Sequence, residues 1–416
     1  MELLLTLVVL AYTLFAHRLS RTPVTAPMIF LALGLVMSVQ PFIAPEAGRH
    51  LLHLVAEVTL MVLLFIDAAQ INLRNLLRHH QWGQRVLVIG MPLALAIGTA
   101  GHWLIAPDLG WEMALLVGAL LIPTDAALGQ PVISNDAIPP RPRRTLSVES
   151  GLNDGLALPL ILIATSLLAT ASTAPPMGWT AFAALQVTMG PLVGGGVGWL
   201  GGRLFIFAKD HDYSAERFEG IGALALAALI YLLATAIGGN GFIAAFVGGL
   251  LFNQVVGMRC RFVYEFTESE GKVLSWSAFL LIGMLLIPEA LAALDARMLG
   301  IILMSLFVAR PLAVYLSLLG TNTRPSTRLF FGWFGPRGLA TALFALLIIE
   351  QLPIEHHDWV LNLAVNAVWI SALLHGVTAA PIGRLYARHL AAQSECAERR
   401  TNEPAARPLP HPTNAE

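Results

Sequence analysis

Apolar residues in this chain of 416 residues are gathered into long runs, and short polar stretches separate one run from the next. Many runs approach 20 residues, which is about the length that a helix needs to cross the hydrocarbon core of a bilayer. Thirteen such segments can be counted, near residues 3–17, 24–43, 51–69, 86–106, 111–135, 146–171, 180–207, 220–237, 241–257, 273–289, 297–319, 328–350 and 359–383. The pattern predicts an all-α polytopic membrane protein with 13 transmembrane helices.

Composition supports the membrane class. Hydrophobic residues make up 56% of the chain and charged residues 12%, whereas soluble domains are about one quarter charged. The mean hydropathy is +0.70. The net charge of −1 predicts no nucleic-acid partner. No basic residue precedes the first apolar run, which favours a first spanning helix over a cleaved signal peptide.

The positions of Lys and Arg predict the orientation. Of the 25 Lys and Arg residues, 21 lie in or beside the loops after the odd-numbered segments or in the C-terminal tail. Cytoplasmic loops are enriched in such residues, so the N-terminus is expected outside and the C-terminus inside. Residues 1–383 are expected to form one transmembrane domain. The polar, proline-containing residues 384–416 are expected to be a disordered cytoplasmic tail.

Ionisable residues within the predicted spans are costly and therefore indicate function. The deep ones are Asp67 in segment 3, Asp125 in segment 5, Glu149 and Asp154 in segment 6, Arg310 in segment 11 and Arg337 in segment 12. At about 1.5 Å per residue, Asp154 and Arg337 lie about 14 Å from the cytoplasmic ends of their segments. Asp125 is also far from both ends of its segment. All three are therefore expected at the midplane of the bilayer.

Segment 5 contains "LLIPTDAALGQ" at residues 120–130. Pro123 has no N–H, so the carbonyl of Ala119 loses its helical partner. A broken helix is tolerated at this depth only where it packs within the protein or lines a cavity. Thr124 and Asp125 follow the break, and their oxygens, with freed carbonyls, are the ligands that hard cations prefer.

Segment 12 has a matching interruption, "GWFGPRGLATA", at residues 332–342. Gly335, Pro336 and Gly338 break the helix, and Arg337 lies at the break. Segments 5 and 12 are seven apart and so run in opposite directions. This pairing predicts inverted repeats whose broken helices cross at the transport site, where Asp125 and Arg337 offset the charges of the helix ends.

Segment 6 carries "VESGLNDG" at residues 148–155. Ser150 and Asp154 lie about 40° apart on a helix and can offer a hydroxyl and a carboxylate to one ion. Glu149 and Asn153 form a second face. We expect Glu149 to pair with Arg337 and to hold segments 6 and 12 in register.

Two further ionisable groups lie within the spans. Arg310 is expected to be structural. Asp67 has two alternatives, a third ion-binding carboxylate or a group that faces the cytoplasmic cavity.

The chain resembles the monovalent cation:proton antiporter family and, within it, the NhaP-type Na⁺/H⁺ exchangers. The resemblance covers nearly the whole membrane domain and is carried by "PTDA" (123–126), "ESGLNDG" (149–155), "GFIAAFVGGL" (241–250), "FLLIGMLL" (279–286) and "GPRG" (335–338). It implies an NhaA-like antiporter fold with a dimerisation domain and a core domain that holds the crossed helices. It also implies a homodimer in a bacterial inner membrane.

The resemblance assigns residues as well. It implies that Na⁺ binds at Asp154 and Asp125, with Thr124 and Ser150, and that the Glu–Arg bridge of the family falls on Glu149 and Arg337. Relatives with "ND" resemble electroneutral exchangers, and Asn153 precedes Asp154 here. One departure is "FIDAA", which contains Asp67, where many relatives have an "F-E-x-G" pattern.

The expected function is therefore exchange of Na⁺ or Li⁺ for H⁺, with cation and proton competing for Asp154, and without a cofactor. Exchange of K⁺ for H⁺ is an alternative, because the sequence does not separate Na⁺, Li⁺ and K⁺. An intramembrane aspartyl hydrolase using Asp125 and Asp154 is a distant alternative. A sensor or membrane scaffold is another.

Overall fold

The computed structural model describes residues 2–19, 22, 24–39, 45–71, 73, 76, 81–133, 135–168, 178–259, 261–349, 352, 356–392 and 397–399. Its helices are α1 (Glu2–Leu19), α2 (Ala26–Met37), α3 (Pro45–Ala69), α4 (Gln81–Ile105), α5 (Gly110–Leu120), α6 (Ala126–Ile133), α7 (Pro140–Leu168), α8 (Trp179–Asp210), α9 (Glu216–Ala236), α10 (Gly241–Val256), α11 (Arg261–Leu285), α12 (Ile287–Ala293), α13 (Ala296–Ser317), α14 (Pro325–Trp333), α15 (Leu339–Ile348) and α16 (His357–Ala391).

Every predicted apolar segment falls on one of these helices or on a consecutive pair. In the described residues, seven helices are long and apolar enough to cross a membrane. An eighth span results if α11 and α12, which meet at a bend of 49°, are counted as one. The chain is thus a helical membrane protein with at least seven apolar spans.

Two predicted segments are divided where the prolines indicate. Segment 5 becomes α5 and α6, with non-helical residues 122–125 between them, here called the first break. Segment 12 becomes α14 and α15, with non-helical residues 334–338 between them, here called the second break. Proline explains both, since it cannot donate the hydrogen bond that would continue the helix.

Small residues allow α8 and α10 to pack backbone against backbone. A Cβ atom added to Gly194 would lie 2.2 Å from the carbonyl oxygen of Ala244, and one added to Gly198 would lie 2.4 Å from that of Gly248. No larger residue fits at this separation. These glycines therefore allow close packing of α8 on α10.

The C-terminal helix is longer than predicted. α16 continues to Ala391, beyond the expected end of the last segment at 383. After it, a short turn at Ala397–Arg399 packs on the protein, and the buried carboxylate of Glu398 accepts a hydrogen bond from Thr327 Oγ1 at 2.8 Å. The expected disorder of residues 400–416 lies outside the described residues.

Candidate cation site at the crossing of two broken helices

The two breaks cross and are joined by their main chains. The backbone N–H of Asp125 in the first break donates to the carbonyl oxygen of Pro336 in the second, at 2.9 Å. Gly338 allows this approach, because an added Cβ atom would lie 2.0 Å from the Cβ of Asp125. Breaking a helix at membrane depth leaves polar backbone groups that need partners, and here the breaks partly satisfy each other.

Asp125 accepts hydrogen bonds from the first residues of two helices. Its Oδ1 accepts from the N–H of Ala127 at 2.7 Å and of Leu128 at 3.4 Å, at the start of α6. Its Oδ2 accepts from the N–H of Leu339 at 3.1 Å, at the start of α15. The N-terminal ends of helices carry partial positive charge. One carboxylate therefore stabilises both half-helices.

The arginines lie at the opposite ends of the half-helices, where the partial charge is negative. Arg337 donates to the carbonyl oxygen of Ile122, just beyond α5, at 3.2 Å. It also donates to Ser305 Oγ at 3.1 Å. Arg310 donates to the carbonyl oxygen of Phe334, just beyond α14, at 3.4 Å. The expectation that Asp125 and Arg337 offset the end charges agrees with these contacts.

The expected pair of Glu149 and Arg337 is wrong. Glu149 forms a two-point ion pair with Arg310 instead, with N–O distances of 2.9 and 2.8 Å, and both side chains are buried. The reason is that Arg337 is engaged by the end of α5 and by Ser305. A π-helical turn in α13, Ser305–Ala309, directly precedes Arg310 and brings both Ser305 and Arg310 to the site.

A hydrogen-bond network links α7 to the first break. Asn153 Nδ2 donates to Thr124 Oγ1 and to Glu149 Oε1, at 2.6 and 3.3 Å. Asn153 Oδ1 accepts from the N–H of Thr124 at 3.3 Å. The hydroxyls of Thr124 and Ser150 lie 3.2 Å apart. Asn153 therefore connects the ion pair of Glu149 to the hydroxyls.

Asp154 lies beside this network and outside the ion pair. Its Oδ1 is buried and has no hydrogen-bond partner among the described residues. A buried carboxylate oxygen without a partner is costly, and a bound cation or proton would satisfy it. Among the carboxylates of this site, Asp154 thus differs from Asp125 and Glu149, whose oxygens accept hydrogen bonds.

The five residues predicted to bind the cation or proton share one cavity of about 300 Å³, whereas the predicted supporting residues Asn153, Glu149 and Arg337 line a separate, smaller one. Asp67, Thr124, Asp125, Ser150 and Asp154 all line the larger cavity. The structure therefore brings Asp67 together with the other carboxylates. Among the described residues, no group of three or more His, Cys, Asp or Glu side chains is spaced to hold a metal ion, so the three carboxylates line one space without converging on one point.

The cavity continues from the carboxylates toward one end of the helices. Its other lining groups include Gln70 after α3, Gln130 in α6, Ser147 in α7 and Lys272 in α11. In the predicted orientation this end faces the cytoplasm.

Sequence reasoning missed three residues of this region. Ser305 accepts from Arg337, Ser371 Oγ accepts from the backbone N–H of Arg337 at 2.7 Å, and His375 contacts Ser371. Polar residues inside apolar segments were a usable signal, since a buried Ser or His needs a partner.

Comparison with known proteins agrees with this architecture. The family model described as "Sodium/hydrogen exchanger, transmembrane" matches residues 4–385. The solved structure of the sodium proton antiporter MjNhaP1 from Methanocaldococcus jannaschii at pH 8 superposes with a TM-score of 0.73 and 20% identity. The match covers 93% of this chain and all of that one. This likeness shows the shared fold.

Two relatives are named for different cations. The K⁺/H⁺ antiporter NhaP of Alkalimonas amylolytica is 26% identical over 366 residues, which cover 86% of this chain and 62% of that protein. The Na⁺/H⁺ antiporter NhaH of Halobacillus dabanensis is 27% identical over 411 residues, which cover 92% of this chain and 96% of that protein. The chain thus spans less than two thirds of the first relative and nearly all of the second. With its family model matched over most of its length, this chain belongs to the sodium/hydrogen exchanger family.

Proposed function

We propose that the protein is a secondary active antiporter that exchanges Na⁺ or Li⁺ for H⁺, with both competing for Asp154. The observation that carries this proposal is the buried Asp154 Oδ1, which has no hydrogen-bond partner in the described structure and lies in a cavity with Thr124, Asp125 and Ser150. The other buried acid of α7, Glu149, is neutralised by Arg310. Asp154 is thus available for exchange and Glu149 is not.

The charge of the site supplies the coupling. With a proton or a monovalent cation at Asp154, the site carries little net charge and can move relative to the bilayer. An empty carboxylate there carries a full charge, whose movement through a low-dielectric layer is costly. Exchange is therefore favoured over leak, and the crossed helices move between two accessible states by alternating access.

Asn153 supports an electroneutral exchange of one cation for one proton. Its amide takes the position beside Asp154 where a second acid would add a charge, and it bonds to Thr124 and Glu149 instead. No titration at this position accompanies transport. In each half of the cycle, one monovalent cation or one proton then binds to Asp154 and is released from it.

Exchange of K⁺ for H⁺ is the second candidate. A relative named as a K⁺/H⁺ antiporter matches 86% of this chain, and a relative named as a Na⁺/H⁺ antiporter matches 92% of this chain. The lining of the cavity offers hydroxyl, amide and carboxylate oxygens, which bind either ion. The transport assay below distinguishes the two.

The remaining features of the proposal concern the whole chain. All 13 apolar segments span the membrane, with the N-terminus outside and the C-terminus inside, in an NhaA-like fold that forms a homodimer in a bacterial inner membrane. The membrane domain covers residues 1–383, with α16 continuing to Ala391 on the cytoplasmic side. The cavity of the cation site is then open to the cytoplasm. No cofactor is required, since ion gradients drive exchange.

A proteoliposome assay tests the function. Purified protein is reconstituted into vesicles with an acidic lumen and a pH-sensitive dye, and Na⁺, Li⁺ and K⁺ are added separately. We expect at least one cation to drive proton efflux, and Asp154→Asn to abolish it. Coupled exchange that survives in Asp154→Asn would refute the role of this carboxylate. The cation that drives efflux decides between the Na⁺ and K⁺ candidates.

A further inference from the structure

α16 contacts the second break on both of its sides. Before the break, the carbonyl oxygen of Trp333 accepts a hydrogen bond from His375 Nε2 at 2.9 Å. Within the break, the N–H of Arg337 donates to Ser371 Oγ at 2.7 Å. Ser371 and His375 are one turn apart on α16, and their exposed fractions are 0% and 2%. Two neighbouring buried side chains thus bond to main-chain groups that the break leaves without helical partners.

The two side chains also bond to each other. His375 Nδ1 lies 3.1 Å from Ser371 Oγ and 2.8 Å from the carbonyl oxygen of Ser371. In the tautomer that carries its proton on Nε2, the ring donates to the carbonyl of Trp333, and Nδ1 can accept the hydroxyl proton of Ser371. A doubly protonated ring would donate to the carbonyls of both Trp333 and Ser371.

Trp333 itself is held by α16 in two further ways. Its indole ring stacks on the ring of His375, with centroids 5.0 Å apart and an interplanar angle of 29°. Its Nε1 donates to Thr378 Oγ1 at 3.0 Å. The residue that ends α14 is thus bound to α16 through both its main chain and its side chain.

We propose that Ser371 and His375 are positioning residues of the cation site, because α16 uses them to fix both sides of the second break. The second break in turn supplies the carbonyl of Pro336 and the N–H of Leu339, which bond to Asp125. Loosening the break would displace Asp125 and the adjoining Thr124 while leaving Asp154 on its own helix. The consequence for transport rests on the proposed function, and the consequence for the structure of the break does not.

The test compares His375→Ala and Ser371→Ala with two matched variants. His375→Gln keeps an N–H donor that can reach the carbonyl of Trp333. Ser317→Ala removes another fully buried serine hydroxyl, whose one hydrogen-bond partner among the described residues is the carbonyl of Val314 on its own helix. The purified variants are measured by hydrogen–deuterium exchange of peptides covering residues 334–342 and by the apparent KM for the transported cation in proteoliposomes.

We expect both alanine variants to exchange faster at Arg337 and Leu339. Their KM should rise by roughly three- to tenfold, which is the effect of losing one buried hydrogen bond. The maximal rate should fall less, since Asp154 is retained. His375→Gln should lie within about twofold of wild type because its bond to Trp333 persists. Ser317→Ala should leave both readouts unchanged.

Unchanged exchange and unchanged KM in both alanine variants would overturn the proposal. So would an increase in KM for Ser317→Ala equal to that for Ser371→Ala, because the effect would then follow from any buried cavity. If His375→Ala does not fold, the smaller change Ser371→Ala carries the same test. If the wild type moves no protons with any cation, the proposed function fails, while hydrogen exchange still reports whether α16 fixes the break.

Discussion

Asp125, Arg310 and Arg337 show why charged side chains are stable in this apolar core. Each lies at helix ends of opposite partial charge, and each makes hydrogen bonds to main-chain groups there. A charge at a helix end contributes about 0.3–1 kcal/mol when exposed and up to about 2 kcal/mol when partly buried. The charges and the breaks therefore stabilise one another, since neither would be tolerated alone at this depth.

Substitutions at Asp125 should separate its capping role from its charge. Asp125→Ala removes the acceptors for both α6 and α15, and we expect a loss of about 1–2 kcal/mol in stability. Asp125→Asn keeps one acceptor oxygen and should lose roughly half as much. Both variants should bind the transported cation more weakly.

Thermal unfolding in detergent measures this difference. Asp136→Asn is the control, because Asp136 is exposed and forms a surface ion pair with Arg143. Equal stability of the Ala and Asn variants of Asp125 would contradict a capping role.

The partner of Glu149 can be tested by double-mutant cycles. Removing one member of a buried ion pair costs about 3–5 kcal/mol, because the other charge is left unpaired. We expect Glu149→Gln and Arg310→Met to be strongly coupled, so that the double variant is more stable than the sum of the single effects predicts. Glu149→Gln and Arg337→Met should be coupled more weakly. Stronger coupling to Arg337 than to Arg310, measured from thermal unfolding, would refute the assigned pair.

At the scale of elements, the architecture depends on where backbones approach closely. α8 and α10 touch through Gly194, Gly198, Ala244 and Gly248, and the two breaks touch through Gly338. In each contact the neighbouring atoms belong to a main chain or to a short side chain that has no room to move. Glycine is thus required by space at these positions, and not by a left-handed backbone.

Two glycines on the same helix provide a matched test of this packing. Gly194→Ala places a methyl group 2.2 Å from a main-chain oxygen of α10, whereas a Cβ added to Gly196 meets nothing within 4 Å. We expect Gly194→Ala to lose about 1–3 kcal/mol through overpacking. Gly196→Ala should be neutral or stabilising by up to about 1 kcal/mol, because alanine favours helix. Equal melting temperatures for the two variants would show that α8 and α10 are not in this contact.

At the scale of the whole molecule, two cavities open toward opposite ends of the helices. The cation-site cavity reaches Leu60 on α3, and a second cavity of about 660 Å³ reaches Glu57 on the same helix. Three residues of helix rise by about 4.5 Å. The residues that line the two cavities therefore come close to each other along α3.

Labelling of introduced cysteines tests which end faces the cytoplasm. Ser147 lines the cation-site cavity, and His50 lines the second cavity. In a variant without Cys260 and Cys396, a membrane-impermeant thiol reagent should label Ser147→Cys only from the cytoplasmic side and His50→Cys only from the outside. The reverse pattern would contradict the proposed orientation, and labelling of both from one side would contradict the separation of the two cavities.

The sequence by itself determined the membrane class, the helical segments, the two breaks and the set of buried charged groups. These features follow from local causes: the length of an apolar run, a proline that cannot donate, and the cost of a charge in a bilayer. The pairing of segments 5 and 12 could also be inferred, since their interruptions match.

Only the tertiary structure decided how the buried groups are paired. The sequence offered two buried arginines, Arg310 and Arg337, as partners for Glu149. The partner in the structure is Arg310, 161 residues away, and the π-helical turn of α13 sets its direction. The bonds of Ser371 and His375 to the second break depend in the same way on how α16 packs. Such choices are made by helix packing, because each buried donor and acceptor is satisfied by whichever neighbour the fold brings within 3 Å or so.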